Sequence, residues 1–264
     1  MYSEIKGDGP ITVVFDSGMG NSLLVWHDVI NGLTSSYTVF AYDRAGLGYS
    51  AKSEEPRTSQ VIAKQLHALL EANAIDGPLI LVGHSFGGLN MQLFAKTYPE
   101  DVIGLILVDS VHPDYFSYIP QQKSWRREAL TIGKWLAPFG VPRLYLSSND
   151  EHHKAVMTTV KHQYTSLDES HYFEESANQI ARLVDDLGSL PIVILARNTN
   201  SDQLKSTSPF QKGNVKWAEL QERFLNLSRE TEIVYSQERS HNIHRLRPDL
   251  VIEAVESISQ SKLD

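Results

Sequence analysis

The chain predicts an α/β protein, with a mostly parallel twisted sheet and helices on both faces. Three observations carry this. Short apolar runs rich in β-branched residues recur along the chain, each followed by polar or glycine residues. Segments with apolar residues at helical spacing lie between them. Gly83-His84-Ser85-Phe86-Gly87 joins one such run directly to one such helix. Alternating strands and helices pair in parallel through crossover units, and the sheet is then covered on both faces. In such sheets, sites collect at the carboxyl ends of the strands.

The elements follow in order. Ile11–Phe15 is strand-length and ends at Asp16-Ser17-Gly18; Tyr37–Tyr42 ends at Asp43-Arg44. Ile62, Leu66, Leu69 and Leu70 fall at i, i+4, i+7 and i+8 behind Thr58 or Ser59, which suit a helix N-cap. Leu79–Val82 runs into Ser85, and the segment from Gly88 to Tyr98 has helical spacing closed by Pro99. Val102–Val108 ends at Asp109-Ser110, Pro191–Ala196 at Arg197-Asn198, and Thr231–Tyr235 leads to Ser240-His241. Trp217, Leu220 and Phe224 mark one more helix; Val251, Ala254, Val255 and Ile258 mark another after Pro248.

One segment breaks this rhythm. About eighty residues separate Asp109 from Pro191, where a connection in an α/β unit takes about two to six. The segment is rich in aromatic residues and reads as mostly helical, for example from Asp168 through Leu187. The expected organisation is a core of residues 1–110 and 189–264 with a helical cap, 111–188, inserted over the site end.

Bulk properties exclude several classes. With 41% hydrophobic and 21% charged residues, the chain can bury a large core. A net charge of −8 speaks against nucleic acid or an anionic membrane as partner. The absence of cysteine excludes disulfides, thiol catalysis and thiolate metal sites. The apolar run near the start is too short for a signal-peptide core and no run approaches a membrane span, so a cytoplasmic location is the expectation. Oligomeric state is left open.

The chemistry centres on Ser85. A strand, a tight turn with a central serine and a helix form a nucleophile elbow, and the helix N-terminus faces the place where negative charge develops in acyl transfer. A serine hydroxyl needs a base and a carboxylate to orient that base. His241, after the last strand, is the expected base; His244 is its near competitor and reads as a neighbour behind it. No third ligand at matching spacing supports a metal site at this pair. The expected oxyanion hole uses the backbone N–H groups of Phe86 and of Met19, in the glycine-rich loop Ser17-Gly18-Met19-Gly20. Gly46-Leu47-Gly48-Tyr49-Ser50-Ala51 matches a dinucleotide fingerprint, but a polar loop follows it instead of a helix.

Taken together, Gly83–Gly87, the Asp43–Ser50 turn, the Gly18–Gly20 loop and Ser240-His241 followed by Arg247-Pro248-Asp249-Leu250 resemble the α/β-hydrolase fold family over nearly the whole chain outside the cap. The resemblance implies a sheet of about eight strands, a Ser-His-acid triad and no cofactor. The chain starts late relative to that pattern, so one leading strand is expected to be absent. Many members carry His-Gly before the oxyanion residue; here Ser17-Gly18 stands there, and Asp16 and Arg44 are expected to supply part of the supporting network. Members place the acid after either of two strands. Asp109 holds the first place and is preferred; Asp202, in a polar run, is the alternative. The expected activity is that of a serine hydrolase on a small ester-type substrate, with lactones, amides or carbon–carbon bonds as alternatives on the same triad. A ligand-binding protein without turnover is disfavoured by the presence of both Ser85 and His241. Expected substrate contacts are Gly18, Asn21, Trp26, His84, His112 and, from the cap, Trp125 and Trp135.

Overall fold

The computed structural model describes residues 1–118, 128, 131–132, 135–141, 151–199 and 209–261. Its strands are β1 (Tyr2–Lys6), β2 (Thr12–Asp16), β3 (Thr38–Asp43), β4 (Leu79–His84), β5 (Val102–Val108), β6 (Ile192–Ala196) and β7 (Thr231–Tyr235). Between and after them run α1 (His27–Leu33), α2 (Ser59–Ala72), α3 (Phe86–Thr97), α4 (Tyr115–Tyr118), α5 (Glu151–Met157), α6 (Val160–His171), α7 (Phe173–Leu183), α8 (Pro209–Arg223), α9 (Ile243–Leu246) and α10 (Pro248–Ser261).

The seven strands form one sheet in the order β1-β3-β2-β4-β5-β6-β7. Every pairing from β3 to β7 is parallel, and β1 alone runs antiparallel, against β3. The sequence reading did not anticipate β1. Tyr2-Ser3-Glu4-Ile5-Lys6 is a mostly polar edge segment that pairs on one side only, so it carries no buried-strand signature. The strand order reverses between β2 and β4, and the crevice beyond their carboxyl ends is where such sheets bind ligands.

Alternation along the strands splits the core into two apolar layers. Val14, Phe40, Leu81, Leu105 and Leu107 face one layer with α2, α3, α7 and Trp217 of α8. Val13, Phe15, Val39, Ile80, Ile106 and Val108 face the other with α1 and α10. The Thr58 hydroxyl accepts from the Val61 amide and caps α2, worth about 1 kcal/mol.

The insertion is more closely tied to the core than its sequence suggests. The expected helix from Asp168 through Leu187 is broken at Tyr172 into α6 and α7. Ala177 and Ile180 of α7, with Val184 just beyond it, belong to the same apolar layer as α2 and α3, so the chain has rejoined the core well before residue 188. Among the described residues, no helix is long and apolar enough to cross a membrane.

Candidate active site

Ser85 sits between β4 and α3 with φ 53° and ψ −115°. This is an unfavourable conformation for a residue with a Cβ, of order 1–3 kcal/mol, and it persists because the surroundings fix it. The Ser85 amide donates to the Val108 carbonyl at 3.1 Å, tying the turn to the end of β5. The glycines are required by close approach. A Cβ on Gly83 would lie 2.6 Å from the Gly88 Cα, and one on Gly87 would lie 2.3 Å from the Asp16 carbonyl oxygen. His84 and Phe86 are buried, while Ser85 between them is half-buried.

Asp109, at the end of β5, also has positive φ, 41°. Its fully buried carboxylate is surrounded by donors. Oδ2 accepts from His241 Nδ1 at 2.5 Å and lies 3.2 Å from an Arg197 guanidinium nitrogen. Oδ1 accepts from Trp217 Nε1 at 2.9 Å and from the Arg197 amide at 3.3 Å. Burial alone would raise the Asp109 pKa, but the His241 hydrogen bond and the Arg197 charge outweigh it and hold the carboxyl below its ordinary range. An ionised carboxylate only accepts, so Nδ1 of His241 carries the proton and Nε2 is the unprotonated nitrogen. The His241 side chain is 36% exposed.

His84 holds the His241 backbone from behind. Its Nε2 lies 2.9 Å from the His241 carbonyl oxygen, so Nε2 donates and Nδ1 is the unprotonated nitrogen. Burial, reinforced by the neighbouring His241, pushes His84 down to about 3. Its ring lies between those of His241 and His244, with centroids 4.6 and 4.3 Å away. Burial also takes His244 well below its ordinary value.

The glycine loop after β2 is held by buried charges. Arg44 donates to the Ser17 and Gly18 carbonyls at 2.5 and 2.9 Å, and pairs with Asp16 at 2.5 Å and Glu169 at 2.7 Å. Glu169 comes from α6, in the insertion, and its second oxygen accepts from the Gly20 amide at 2.8 Å. His162, two turns earlier on the same helix face, bridges the Gly20 carbonyl (2.8 Å) and the Gly48 amide (3.1 Å). The Asp16 side chain also accepts from Asn90 at 2.7 Å. Burial would raise Glu169, but Arg44 overrides it and keeps the carboxyl low. Arg57, also buried, adds a further positive charge that helps keep the Glu169 carboxyl low. Ser17, at the place of the more usual histidine, accepts from Trp26 Nε1 and donates to the Ser22 carbonyl, both at 3.0 Å.

Several expected substrate contacts have other roles. Trp26 is fully buried, packed on Phe15 and His244 and bonded to Ser17, with no surface left for a substrate. His84 is buried as well: it braces His241, and a Cβ on Gly18 would come within 2.8 Å of its Nδ1. His112 packs at a tilt against Phe224 and accepts from the Asp114 amide, and burial pushes it down to about 4. The sequence grammar put these three at strand or loop ends, but their rings turn inward. Asn21 is half-buried beside Gly18, and Trp135 is 71% exposed. Trp125 and Asp202 lie outside the described residues. Met19 is buried in the loop, beside a Gly18–Asn21 turn. The Gly46–Gly48 turn precedes a loop, and α2 begins only at Ser59. Sequence reasoning missed Arg197, Glu169 and His162. Arg197 stood at a strand end and was readable as a site residue; Glu169 and His162 had no such signal.

Residues 11–210, more than half of the chain, match the alpha/beta hydrolase fold. The chain belongs to the alpha/beta hydrolase fold family. Among curated relatives of this hydrolase, the uncharacterized protein YqjL of Bacillus subtilis (strain 168) is 25% identical over 95% of this chain and 84% of its own length. The 2-(acetamidomethylene)succinate hydrolase of Mesorhizobium japonicum is 33% identical over a shorter stretch, 39% of this chain and 37% of that protein. Among solved structures, a thermophilic esterase from Thermogutta terrifontis superposes with TM-score 0.70 at 21% identity, covering 98% of this alpha/beta hydrolase and 93% of the esterase.

Proposed function

We propose that this alpha/beta hydrolase is a serine hydrolase acting through an acyl-enzyme on a small ester-type substrate. The observation that carries the reading is the 2.5 Å hydrogen bond from His241 to buried Asp109 beside the left-handed turn at Ser85. In this reading the Ser85 hydroxyl attacks the substrate carbonyl carbon as His241 Nε2 takes its proton. The oxyanion is held by the backbone N–H groups of Met19 and Phe86. The imidazolium then gives its proton to the leaving alkoxide, and the acyl group stays on Ser85. Water repeats the sequence with His241 as base, releases the acid and restores the hydroxyl. Asp109 holds the His241 tautomer and stabilises the imidazolium.

Lactones and amides fit the same steps, since each presents a carbonyl carbon and a leaving heteroatom. The aromatic insertion supports a cap that selects among them, with Trp125 and Trp135 as candidate contacts beside Gly18 and Asn21. The direct test is a fluorophosphonate probe with intact-mass readout. Wild type gains one label, Ser85→Ala none. An unlabelled, folded wild type overturns the serine mechanism and leaves a ligand-binding role on the same fold.

A further inference from the structure

Arg197 stands directly after β6, at the strand end where the alternative acid was sought. Its guanidinium lies 3.2 Å from Asp109 Oδ2, the oxygen that already accepts from His241. Its amide reaches Oδ1, and its side chain lies over the Trp217 ring at 4.8 Å. Trp217 donates to Oδ1 and turns its edge to the His241 ring, with centroids 5.6 Å apart. The Arg197 side chain is only 17% exposed, so its charge is weakly screened.

We propose that Arg197 is a positioning residue for the acid–base pair, taking a share of the Asp109 carboxylate so that His241 remains a free base under more acidic conditions than an unshared carboxylate would allow. A fixed positive charge on the shared oxygen disfavours the imidazolium and leaves the neutral ring untouched. Among the described residues, the other groups around His241 do not do this. His84, from the end of β4, and His244, from α9, are kept neutral by burial. Trp217 of α8 carries no charge, and the charged groups nearest in sequence, Glu238 and Arg239 of the loop and Arg245 of α9, are not among the pairs made by Asp109 Oδ2. The inference rests on the serine-hydrolase reading for its catalytic meaning, but its electrostatic content does not.

The test uses the full chain with Arg197→Gln, Arg197→Met, which retains an apolar stem over Trp217, and Arg197→Lys. The His241 ring is followed by NMR titration, assigned by its loss in His241→Gln, and kcat/KM on p-nitrophenyl acetate is followed across pH. In either neutral variant that folds, the His241 midpoint and the acid limb of kcat/KM both move up by about one pH unit, so activity on that limb falls about tenfold. Arg197→Lys recovers part of the shift. A midpoint that stays in place in a folded neutral variant overturns the proposal and makes Arg197 a structural brace. If wild type takes no fluorophosphonate label, the hydrolase reading fails separately, and the NMR midpoint still decides the role of Arg197.

Discussion

On the glycine-loop side of the site, Arg44, Asp16 and Glu169 are fully buried and every contact among them is charged. On the base side, Asp109 is equally buried, but its partner His241 is about one-third exposed and Arg197 reaches solvent too. The first arrangement fixes a backbone. Arg44 and Glu169 bond to the Ser17 and Gly18 carbonyls and the Gly20 amide, groups without rotamers of their own. The second fixes one end of a ring and leaves the other end accessible. An oxyanion hole must not move when charge develops, whereas a base must receive and release protons. The different burial of the two sides is what the proposed oxyanion-hole and base roles would require.

The comparison breaks most visibly at the base side. Ser85→Ala should lower kcat on p-nitrophenyl acetate by at least about ten-thousand-fold with the fold retained by circular dichroism. Asp109→Asn should cost about as much, because the amide preserves shape while disturbing the tautomer. If Asp109→Asn falls by less than about tenfold, while Asp202→Asn falls further, the acid has been misassigned.

The glycine-loop side should break in stability first. Glu169→Gln leaves Arg44 with one buried carboxylate instead of two, and should cost about 3–5 kcal/mol in urea unfolding. The mutant's kcat should fall more than its KM rises, because the loop loses the partner that holds the Gly20 amide. A stability loss under about 1 kcal/mol would mean that the cluster relaxes around the change, and that its burial is not what fixes the loop.

A smaller effect concerns acid. His84, His162 and His244 are buried with folded-state pKa values below the unfolded value of about 6.5, so the unfolded chain binds protons that the native state does not. Their contribution is complete above about pH 6.5 and declines as pH falls below it. Asp109 and Glu169, also depressed, add a loss of the same sign that starts only near the ordinary carboxylate range, about pH 4. Urea midpoints should therefore begin to drop between about pH 6.5 and 5, ahead of carboxylate protonation. A flat midpoint across that window would show that the histidines find charged-state partners.

The smallest expected effect lies at the surface of the insertion. Trp135→Ala should change stability by less than about 0.5 kcal/mol, since the ring is mostly exposed. A reordering of rates among short and bulky esters would place Trp135 beside substrate; a uniform factor would remove it from the pocket.

Much of this was legible in the amino-acid order because it is local. Gly83 to Gly87 lie within one turn, so spacing was enough to nominate Ser85, while Asp109 was nominated by its place directly after a strand together with the resemblance to the family. Five of the strands announced themselves by runs of apolar residues, since burial on both faces requires them, and the edge strand β7 did so by its Ile233-Val234-Tyr235 run. The edge strand β1 did not, because Ser3, Glu4 and Lys6 interrupt it and leave no apolar run. Glu169 was invisible for a different reason. It meets Arg44 across 125 positions of sequence and the Gly20 amide across 149, and a single glutamate on a helix otherwise reads as a solvated face. Trp26 and His84 were misread by the same limit: strand-end position says which end of the sheet a residue occupies, not whether its ring turns toward solvent or core. The sequence by itself determined the mostly parallel sheet and marked Gly83–Gly87 as the strand-to-helix turn, since these follow from local pattern and short spacing. Only the tertiary structure decided which charges meet behind the glycine loop and that Arg197 shares the Asp109 carboxylate, because burial and the pairing of distant charges are properties of packing, and packing is not periodic in sequence.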